Sequence, residues 1–120
     1  MKENLLVDLS KQFAVDTIKL YDEIRETKKY NVLINQLLRC GTSIGANIHE
    51  GNYASSRADF INKFQIALKE CYESEYWIDI MKDTSIITTE KYNELISKCG
   101  KIRKLLIASV NTAKDNTLSI

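Results

Sequence analysis

Three glutamates and one histidine are the residues whose types could support catalysis or metal binding. Glu50, Glu70 and Glu73 fall in amphipathic segments, and His49 is the only histidine of the chain. Paired carboxylates can act as a general acid and a general base, and bundles that hold two metal ions use Glu-x-x-His pairs on two helices. The sequence has no Glu-x-x-His, and His49 and Glu50 occupy different faces of a helix because they are adjacent. A carboxylate-based metal or ligand site is therefore the least favoured of three functional hypotheses.

Other catalytic signatures are absent from the sequence. No nucleophile–base pair, phosphate-binding loop or cofactor fingerprint is recognisable, so we expect no enzyme activity, no cofactor and no bound metal. Three cysteines, Cys40, Cys71 and Cys99, are widely spaced among apolar neighbours. Because the spacing of paired cysteines or histidines that is typical of zinc sites is missing, we expect reduced thiols in the core.

The composition indicates a helical protein with little net charge. The chain has 120 residues, of which 44% are hydrophobic and 28% charged, with a formal charge of +1. This length predicts a single domain over residues 1–120. The lack of proline and the small number of glycines favour an all-α fold. Near-balanced charge gives no general attraction to nucleic acid or anionic membrane, and it permits self-association. Without a targeting segment or a long apolar window, we expect a cytoplasmic protein that does not contact membranes.

Hydrophobic residues at helical spacing predict four helices, at about residues 5–27, 31–50, 56–82 and 89–113. Ser55 or Ser56 can cap the third helix and Thr88 the fourth, whereas Gly51 stands where a positive φ would end the second. The tail from Lys114 lacks periodicity and is expected to fray. Short connections make neighbouring helices antiparallel, so the predicted fold is an antiparallel up-down-up-down four-helix bundle.

Polar residues follow the apolar stripes of the second and third predicted helices. This set, which we name the polar seam, comprises Arg39, Ser43, Asn47, Glu50, Glu70 and Glu73. If the two helices face each other along these flanks, Arg39 meets Glu70 or Glu73, and Asn47 bonds across the same boundary. A buried polar group without a partner costs roughly 2–7 kcal/mol, so buried members must be paired. We interpret the seam as a network that sets the register between helices, or as a solvated flank.

Basic residues crowd the middle of the fourth predicted helix, at Lys98, Lys101, Arg103 and Lys104. Charge runs of this kind are usually a solvated helix face. The alternative is a stripe that contacts the phosphates of a nucleic acid. This alternative is the basis of the second functional hypothesis, a protein that binds RNA or DNA.

Aromatic residues exceed what a small helical core needs. Tyr53, Tyr76 and Trp77 are the clearest cases, because Tyr76 and Trp77 are adjacent and occupy two faces of the third helix. Large amphipathic rings suit a subunit interface, so these three residues are the predicted interface positions. Burial in an ordinary four-helix core is the competing interpretation.

Two segments together resemble a known family. The stretch 43–51 reads Ser-Ile-Gly-Ala-Asn-Ile-His-Glu-Gly and is followed by Ser56-x-x-Asp59-Phe60-Ile61. This pattern is similar to the signature of the four-helix-bundle proteins known from 23S rRNA intervening sequences. The run 66–77 resembles one branch of that family, and Arg39 also fits. The resemblance covers about residues 5–113.

The sequence departs from the family pattern at three places. Gly45 stands where proline is common, His49 stands where alanine is common, and Cys40-Gly41 replaces an alanine-rich lead-in. The resemblance implies a homo-oligomer, which in related members is a pentameric ring. It also implies kinship with the accessory protein of diversity-generating retroelements, which binds nucleic acid and a reverse transcriptase.

The leading hypothesis is thus a non-enzymatic homo-oligomeric module, with a pentamer favoured by the resemblance, that serves as a scaffold or accessory protein. The alternative is a nucleic-acid-binding accessory protein that acts with a reverse transcriptase or with rRNA. The carboxylate site remains the third hypothesis.

Overall fold

Four segments with an apolar residue every three to four positions form four helices. The structure, a computed structural model, describes residues 2–26 and 31–118, and it describes side chains over 5–26 and 32–115. The helices are α1 (Lys2–Arg25), α2 (Asn31–Asn52), α3 (Arg57–Asp83) and α4 (Thr89–Leu118). Each packs against its neighbour in the chain and α1 packs against α4, so α1 lies diagonally opposite α3. The predicted all-α antiparallel four-helix bundle is confirmed.

Hydroxyl side chains begin the third and fourth helices. Ser56 caps α3, where its Oγ accepts a hydrogen bond from the backbone N–H of Asp59 at 3.1 Å. Thr88 caps α4 in the same way, with its Oγ1 3.0 Å from the backbone nitrogen of Lys91. Such caps satisfy backbone N–H groups that have no partner within the helix. Because serine and threonine are preferred at such positions, both caps could be predicted from the sequence.

Predicted ends of three helices are wrong, beginning with α1, which starts at Lys2 and not at about residue 5. Gly51 lies inside α2, which continues to Asn52, and no described glycine has a positive φ. A Cβ at position 51 would lie 2.6 Å from Phe64 Cδ1, so the close approach of α3 accounts for this glycine. The end of α4 predicted near residue 113 is also wrong, because the helix continues to Leu118; the last positions of the tail predicted to fray, 119–120, lie outside the described residues.

A single cluster of buried apolar side chains from all four helices forms the core, with Phe13, Leu37, Phe64 and Ile102 fully enclosed. Small residues of α2 bring α1 close on one side of it. A Cβ at Gly41 would lie 2.7 Å from Thr17 Cγ2. Within the described ranges, no helix combines the length and the apolar character that crossing a lipid bilayer requires.

The three cysteines are buried and unpaired, as predicted. Ser74 donates a hydrogen bond to Cys40 Sγ at 3.2 Å, and Cys99 Sγ donates to the carbonyl oxygen of Cys71 at 3.5 Å. Burial raises the pKa of the Cys40 thiol to about 11. The pKa of Cys99 is raised as well, by its hydrogen bond with Cys71 and by burial. Thiols in this state are poor nucleophiles and poor metal ligands.

Candidate functional site

The polar seam contains a contact between α2 and α3 that centres on Arg39. Its Nη1 lies 3.4 Å from Glu70 Oε2, and its Nη2 donates to Glu73 Oε2. Trp77 Nε1 donates to the same Glu73 oxygen at 3.1 Å. The structure therefore brings together the arginine and both glutamates that the helical pattern placed on facing flanks, and it adds Trp77 as a second donor to Glu73.

Two opposing effects act on the carboxylates at this contact. Burial and the nearby charge of Glu73 raise the pKa of Glu70, and the attraction of Arg39 offsets only part of that rise. Arg39 itself has 54% of its side chain exposed. Exposed ion pairs contribute only about 0–1 kcal/mol, so the contact stabilises the bundle weakly. Its three charged groups join the turn of α2 that contains Arg39 to the turns of α3 that contain Glu70 and Glu73.

The remaining seam residues do not join this contact. The Asn47 amide nitrogen donates to the Ser43 carbonyl oxygen at 2.9 Å and to Ser43 Oγ at 3.1 Å, so both bonds stay within α2. The expected bond from Asn47 to α3 is absent among the described hydrogen bonds. Glu50 instead pairs with Lys63, an α3 residue outside the predicted set, at 3.4 Å.

The three glutamates considered for metal binding do not converge. Glu50 and Arg39 are about 16 Å apart along α2 at 1.5 Å per residue, so Glu50 lies far from Glu70 and Glu73. Each of these carboxylates has a cationic partner. In the part of the chain that the structure describes, no three histidine, cysteine or acidic residues are grouped so that they could hold a metal ion. His49 is exposed and lies beside Tyr53, with ring centroids 5.1 Å apart.

The structure divides the basic cluster of α4 into two pairs of residues. Lys98 Nζ is 2.6 Å from Asp16 of α1, and Arg103 Nε is 3.0 Å from Glu75 of α3. Both therefore serve contacts between helices. Lys101 and Lys104 are exposed and make no ion pair with any described residue. Only these two remain available for a phosphate.

The predicted interface aromatics also differ from one another. Tyr53 and Tyr76 are 79% and 58% exposed, whereas Trp77 is partly buried and packs on the core. The structure also exposes apolar residues outside the three predicted interface positions, among them Tyr72 on α3 and Val15 and Ile18 on α1. A helical wheel centred on the most apolar positions of α1 places Val15 outside the apolar stripe. This position is the sequence feature from which the exposure of Val15 could have been predicted.

Two concavities lie away from the seam carboxylates. The larger, of about 740 Å³, lies between the α2–α3 connection and the end of α4 and is lined mainly by small and hydroxyl side chains. The second, of about 360 Å³, is a groove between α1 and α2 that includes Ala14, Gly45 and His49. Neither contains two acidic side chains. A third concavity, of about 450 Å³, lies along α1 beside Lys98 and is lined by Asp8 and Asp16. These two aspartates are about 12 Å apart along α1 at 1.5 Å per residue, and Asp16 pairs with Lys98, so they do not form the paired carboxylates of an acid–base site.

Known proteins place the chain in a family. The family model for the 23S rRNA-intervening sequence protein matches residues 2–108. A crystal structure of a protein of unknown function from the S23 ribosomal protein family of Bacteroides thetaiotaomicron is 47% identical to the chain, with a TM-score of 0.90. The match covers 92% of this chain and 99% of that one. No curated protein matches the chain significantly. With this match over most of its length, the chain belongs to the 23S rRNA-intervening sequence protein family.

Proposed function

We propose that the protein is a non-enzymatic homo-oligomeric helical bundle that acts as a scaffold or accessory module in the cytoplasm. The observation that carries this proposal is the number of large apolar side chains on its outer surface. Val15, Ile18, Tyr72 and Tyr76 are all between 41% and 58% exposed. Exposed apolar side chains that neighbour each other on one helix face, as each of these two pairs does, favour a contact with another protein.

The core does not need these residues. It is already closed by side chains from all four helices, and no described buried side-chain nitrogen or oxygen lacks a hydrogen-bond partner. The surface residues therefore do not compensate for a poorly filled interior. Their exposure in a single copy supports burial in an assembly. The family resemblance favours five copies, and the buried, unpaired thiols support a reducing compartment such as the cytoplasm.

Light scattering coupled to size-exclusion chromatography tests self-association. We expect a mass several times the 13.8 kDa of the chain at micromolar concentration. A mass of one chain that does not change as the protein is concentrated would refute the proposal.

A second function, binding of structured RNA or DNA, is favoured by one observation. Lys101 and Lys104 are exposed and carry charges that no described acidic residue pairs with. The description of the family, which names a 23S rRNA intervening sequence, supports RNA as the ligand. In a ring, the lysine pairs of several copies would add to one another, which compensates for the small net charge.

A gel-shift titration with a structured RNA tests this second function. We expect an affinity that falls steeply with salt and that weakens at least tenfold in a Lys101→Glu/Lys104→Glu variant. Lys11→Glu, on the exposed face of α1, is a control for the effect of a charge reversal elsewhere. If Lys11→Glu weakens RNA binding as much as the single variant Lys101→Glu does, the effect is an unspecific consequence of charge reversal. The resemblance adds a reverse transcriptase as a partner class, which co-purification with such an enzyme from the same genome would test.

A further inference from the structure

Two of the three buried thiols lie against each other between α3 and α4. Cys71 belongs to α3 and Cys99 to α4, and neither has any exposed surface. Cys99 Sγ lies 3.5 Å from the carbonyl oxygen of Cys71 and donates to it, and the two side chains also share a hydrogen bond. Neither the oligomer nor the nucleic-acid hypothesis gives this pair of thiols a role.

Contacts on both sides of the pair hold α3 and α4 together at this height. Towards the connection between the two helices, Lys82 Nζ lies 4.5 Å from the centre of the Tyr92 ring. Nearer the pair, Arg103 Nε lies 3.0 Å from Glu75 Oε1. The two thiols therefore remain neighbours for as long as the bundle is folded.

The position of Cys99 suits a disulfide bond with Cys71. Such a bond needs Cα atoms about 4.4–6.8 Å apart and sulfurs about 2.05 Å apart. The carbonyl oxygen that Cys99 Sγ contacts is about 2.4 Å from the Cα of its own residue, so this sulfur lies within about 6 Å of Cys71 Cα. That carbonyl lies inside α3 and also accepts the helical hydrogen bond from the backbone N–H four residues on, so loss of the thiol donor leaves no buried group unpaired.

The third thiol has partners of another kind. Cys40 Sγ accepts a hydrogen bond from Ser74 Oγ at 3.2 Å and donates to the carbonyl oxygen of Leu37 at 3.7 Å. These partners are a hydroxyl and a carbonyl, whereas Cys99 has a second thiol beside it. Of the pairs that three cysteines can form, the fold therefore favours Cys71 with Cys99.

The electrostatics of the pair determine the order in which the two thiols react. The pKa of Cys99 is raised by its hydrogen bond with Cys71, by burial and by the negative charge of an ionised Cys71. Cys99 therefore keeps its proton, which leaves Cys71 to supply the first thiolate. The thiolate is the form that attacks an oxidant, and its scarcity in a buried site makes the reaction slow.

The cover of the pair is thin beside Gly100, the residue that follows Cys99. A Cβ at position 100 would meet only Arg103 Nη2, at 3.7 Å, and the side chain of Arg103 is itself 27% exposed. Outward rotation of this one side chain opens a path for a molecule the size of hydrogen peroxide. The same path is too narrow for the bulky disulfide reagents that label thiols.

We propose that Cys71 and Cys99 form a redox switch, which hydrogen peroxide closes into a disulfide bond between α3 and α4. The Cys71 thiolate attacks the peroxide, so that an S–O bond forms and the O–O bond breaks. The departing hydroxide takes up the proton that Cys71 released and becomes water. Cys99 then attacks the sulfenic sulfur of Cys71, so that the S–S bond forms and the S–O bond breaks. The second hydroxide leaves with the Cys99 proton, also as water.

The two thiols supply the two electrons that reduce the peroxide, and a small dithiol reverses the reaction by exchange. The disulfide joins positions that are 28 residues apart. A cross-link of this span restricts the unfolded chain, and for a domain of this size it should raise the melting temperature by roughly 10 °C. This switch does not depend on self-association or on nucleic-acid binding.

Peptide mapping of peroxide-treated wild type tests the inference. The folded protein is incubated with hydrogen peroxide, denatured, alkylated and digested with trypsin. We expect a disulfide that ties the peptide 70–82 to the peptide 99–101, with Cys40 alone alkylated. The oxidised protein should melt at the higher temperature given above, and dithiothreitol should restore both the free thiols and the original melting temperature.

Three single variants provide the controls. Cys71→Ser and Cys99→Ser each leave two cysteines but should lose the disulfide and the rise in melting temperature. Cys40→Ser removes the cysteine outside the pair and should keep both. Circular dichroism establishes that each variant is folded, and the mapping of the wild type needs no variant.

Other results would overturn the inference. Wild type whose three thiols all stay free, while a reduced peptide in the same tube is oxidised, shows that the pair is not accessible to peroxide. A disulfide that includes Cys40 or joins two chains, or thiols oxidised to sulfinic acids without a disulfide, shows that the fold does not direct the reaction to this pair. A Cys71–Cys99 disulfide that fails to raise the melting temperature shows that the folded bundle does not accommodate the bond.

Discussion

Gly51→Ala tests whether the fold requires a close approach of α2 and α3. An alanine Cβ would lie 2.6 Å from Phe64 Cδ1 and 2.7 Å from Cε1, well inside van der Waals contact. The ring cannot easily move away, because Phe64 is buried and lies against Phe60 with centroids 4.1 Å apart. The substitution must therefore displace α3 or force a strained rotamer.

The expected magnitude comes from two opposing effects. Overpacking of a filled core costs about 1–3 kcal/mol, while replacement of glycine by alanine in a helix gains about 0.5–1 kcal/mol. The gain is small here because Gly51 lies in the last turn of α2. We expect a net loss of about 1–2 kcal/mol in the free energy of unfolding. For a domain of this size, about 3–6 °C of melting temperature corresponds to each kcal/mol.

Gly100→Ala is the matched control. Its Cβ would meet only Arg103 Nη2, at 3.7 Å, which is ordinary contact. Since nothing opposes the helical preference of alanine there, this variant should gain about 0.5–1 kcal/mol. Urea unfolding followed by circular dichroism at one fixed protein concentration measures both variants, because the stability of an oligomer depends on concentration.

A double-mutant cycle separates the steric explanation from a backbone one. If contact with Phe64 causes the loss, Gly51→Ala should cost less in a Phe64→Leu background, with a coupling of about 1 kcal/mol. A cost that is equal in both backgrounds would mean that Gly51 is needed for its backbone conformation. A Gly51→Ala variant as stable as the wild type would refute the reasoning altogether.

Three further outcomes concern the polar seam and the thiols. Because the pKa of Glu70 is raised from 4.5, the folded state holds this proton more tightly, and wild-type stability falls as pH rises through the folded pKa. In urea unfolding, the free energy of unfolding of Glu70→Gln should thus exceed that of the wild type by more at pH 7 than at pH 4. A difference that is equal at both pH values contradicts this. Arg39→Ala should cost about 1 kcal/mol, and less in a Glu70→Gln background, because one unpaired carboxylate is then removed; equal costs would mean that Arg39 acts through packing alone. The three buried thiols should react with a disulfide reagent only as fast as the protein unfolds, and rapid labelling of Cys40 without denaturant would contradict its burial.

Local patterns were sufficient to predict most of the fold. Each helix has a set of apolar residues that recur about every 3.6 positions, with Phe13, Leu37, Phe64 and Ile102 as one member from each set. This spacing indicates which face of each helix is buried, and that face determines the packing. Ser56 and Thr88 were predictable because a cap bonds to a backbone group three residues away. The contact of Arg39 with Glu70 and Glu73 was predictable because it joins consecutive helices.

Features that depend on distant parts of the chain were not predictable. The reason for Gly51 lies in the position of one ring on another helix, which no local pattern contains. Lys98 pairs with Asp16, which lies 82 positions away in the sequence. That Lys98 is engaged in a contact between helices could therefore be known only from the packing of α4 on α1. Asn47 bonds within its own helix because Ser43 lies one turn away, a local alternative that competes with any partner on α3.

Self-association is the central claim, and native mass spectrometry of the unmodified protein at micromolar concentration tests it most directly. The predicted result is a closed assembly with a single integer multiple of the 13.8 kDa chain mass, which for five copies is about 69 kDa. A spectrum that contains only the 13.8 kDa species would contradict the claim, and an open ladder of increasing multiples would contradict the closed ring.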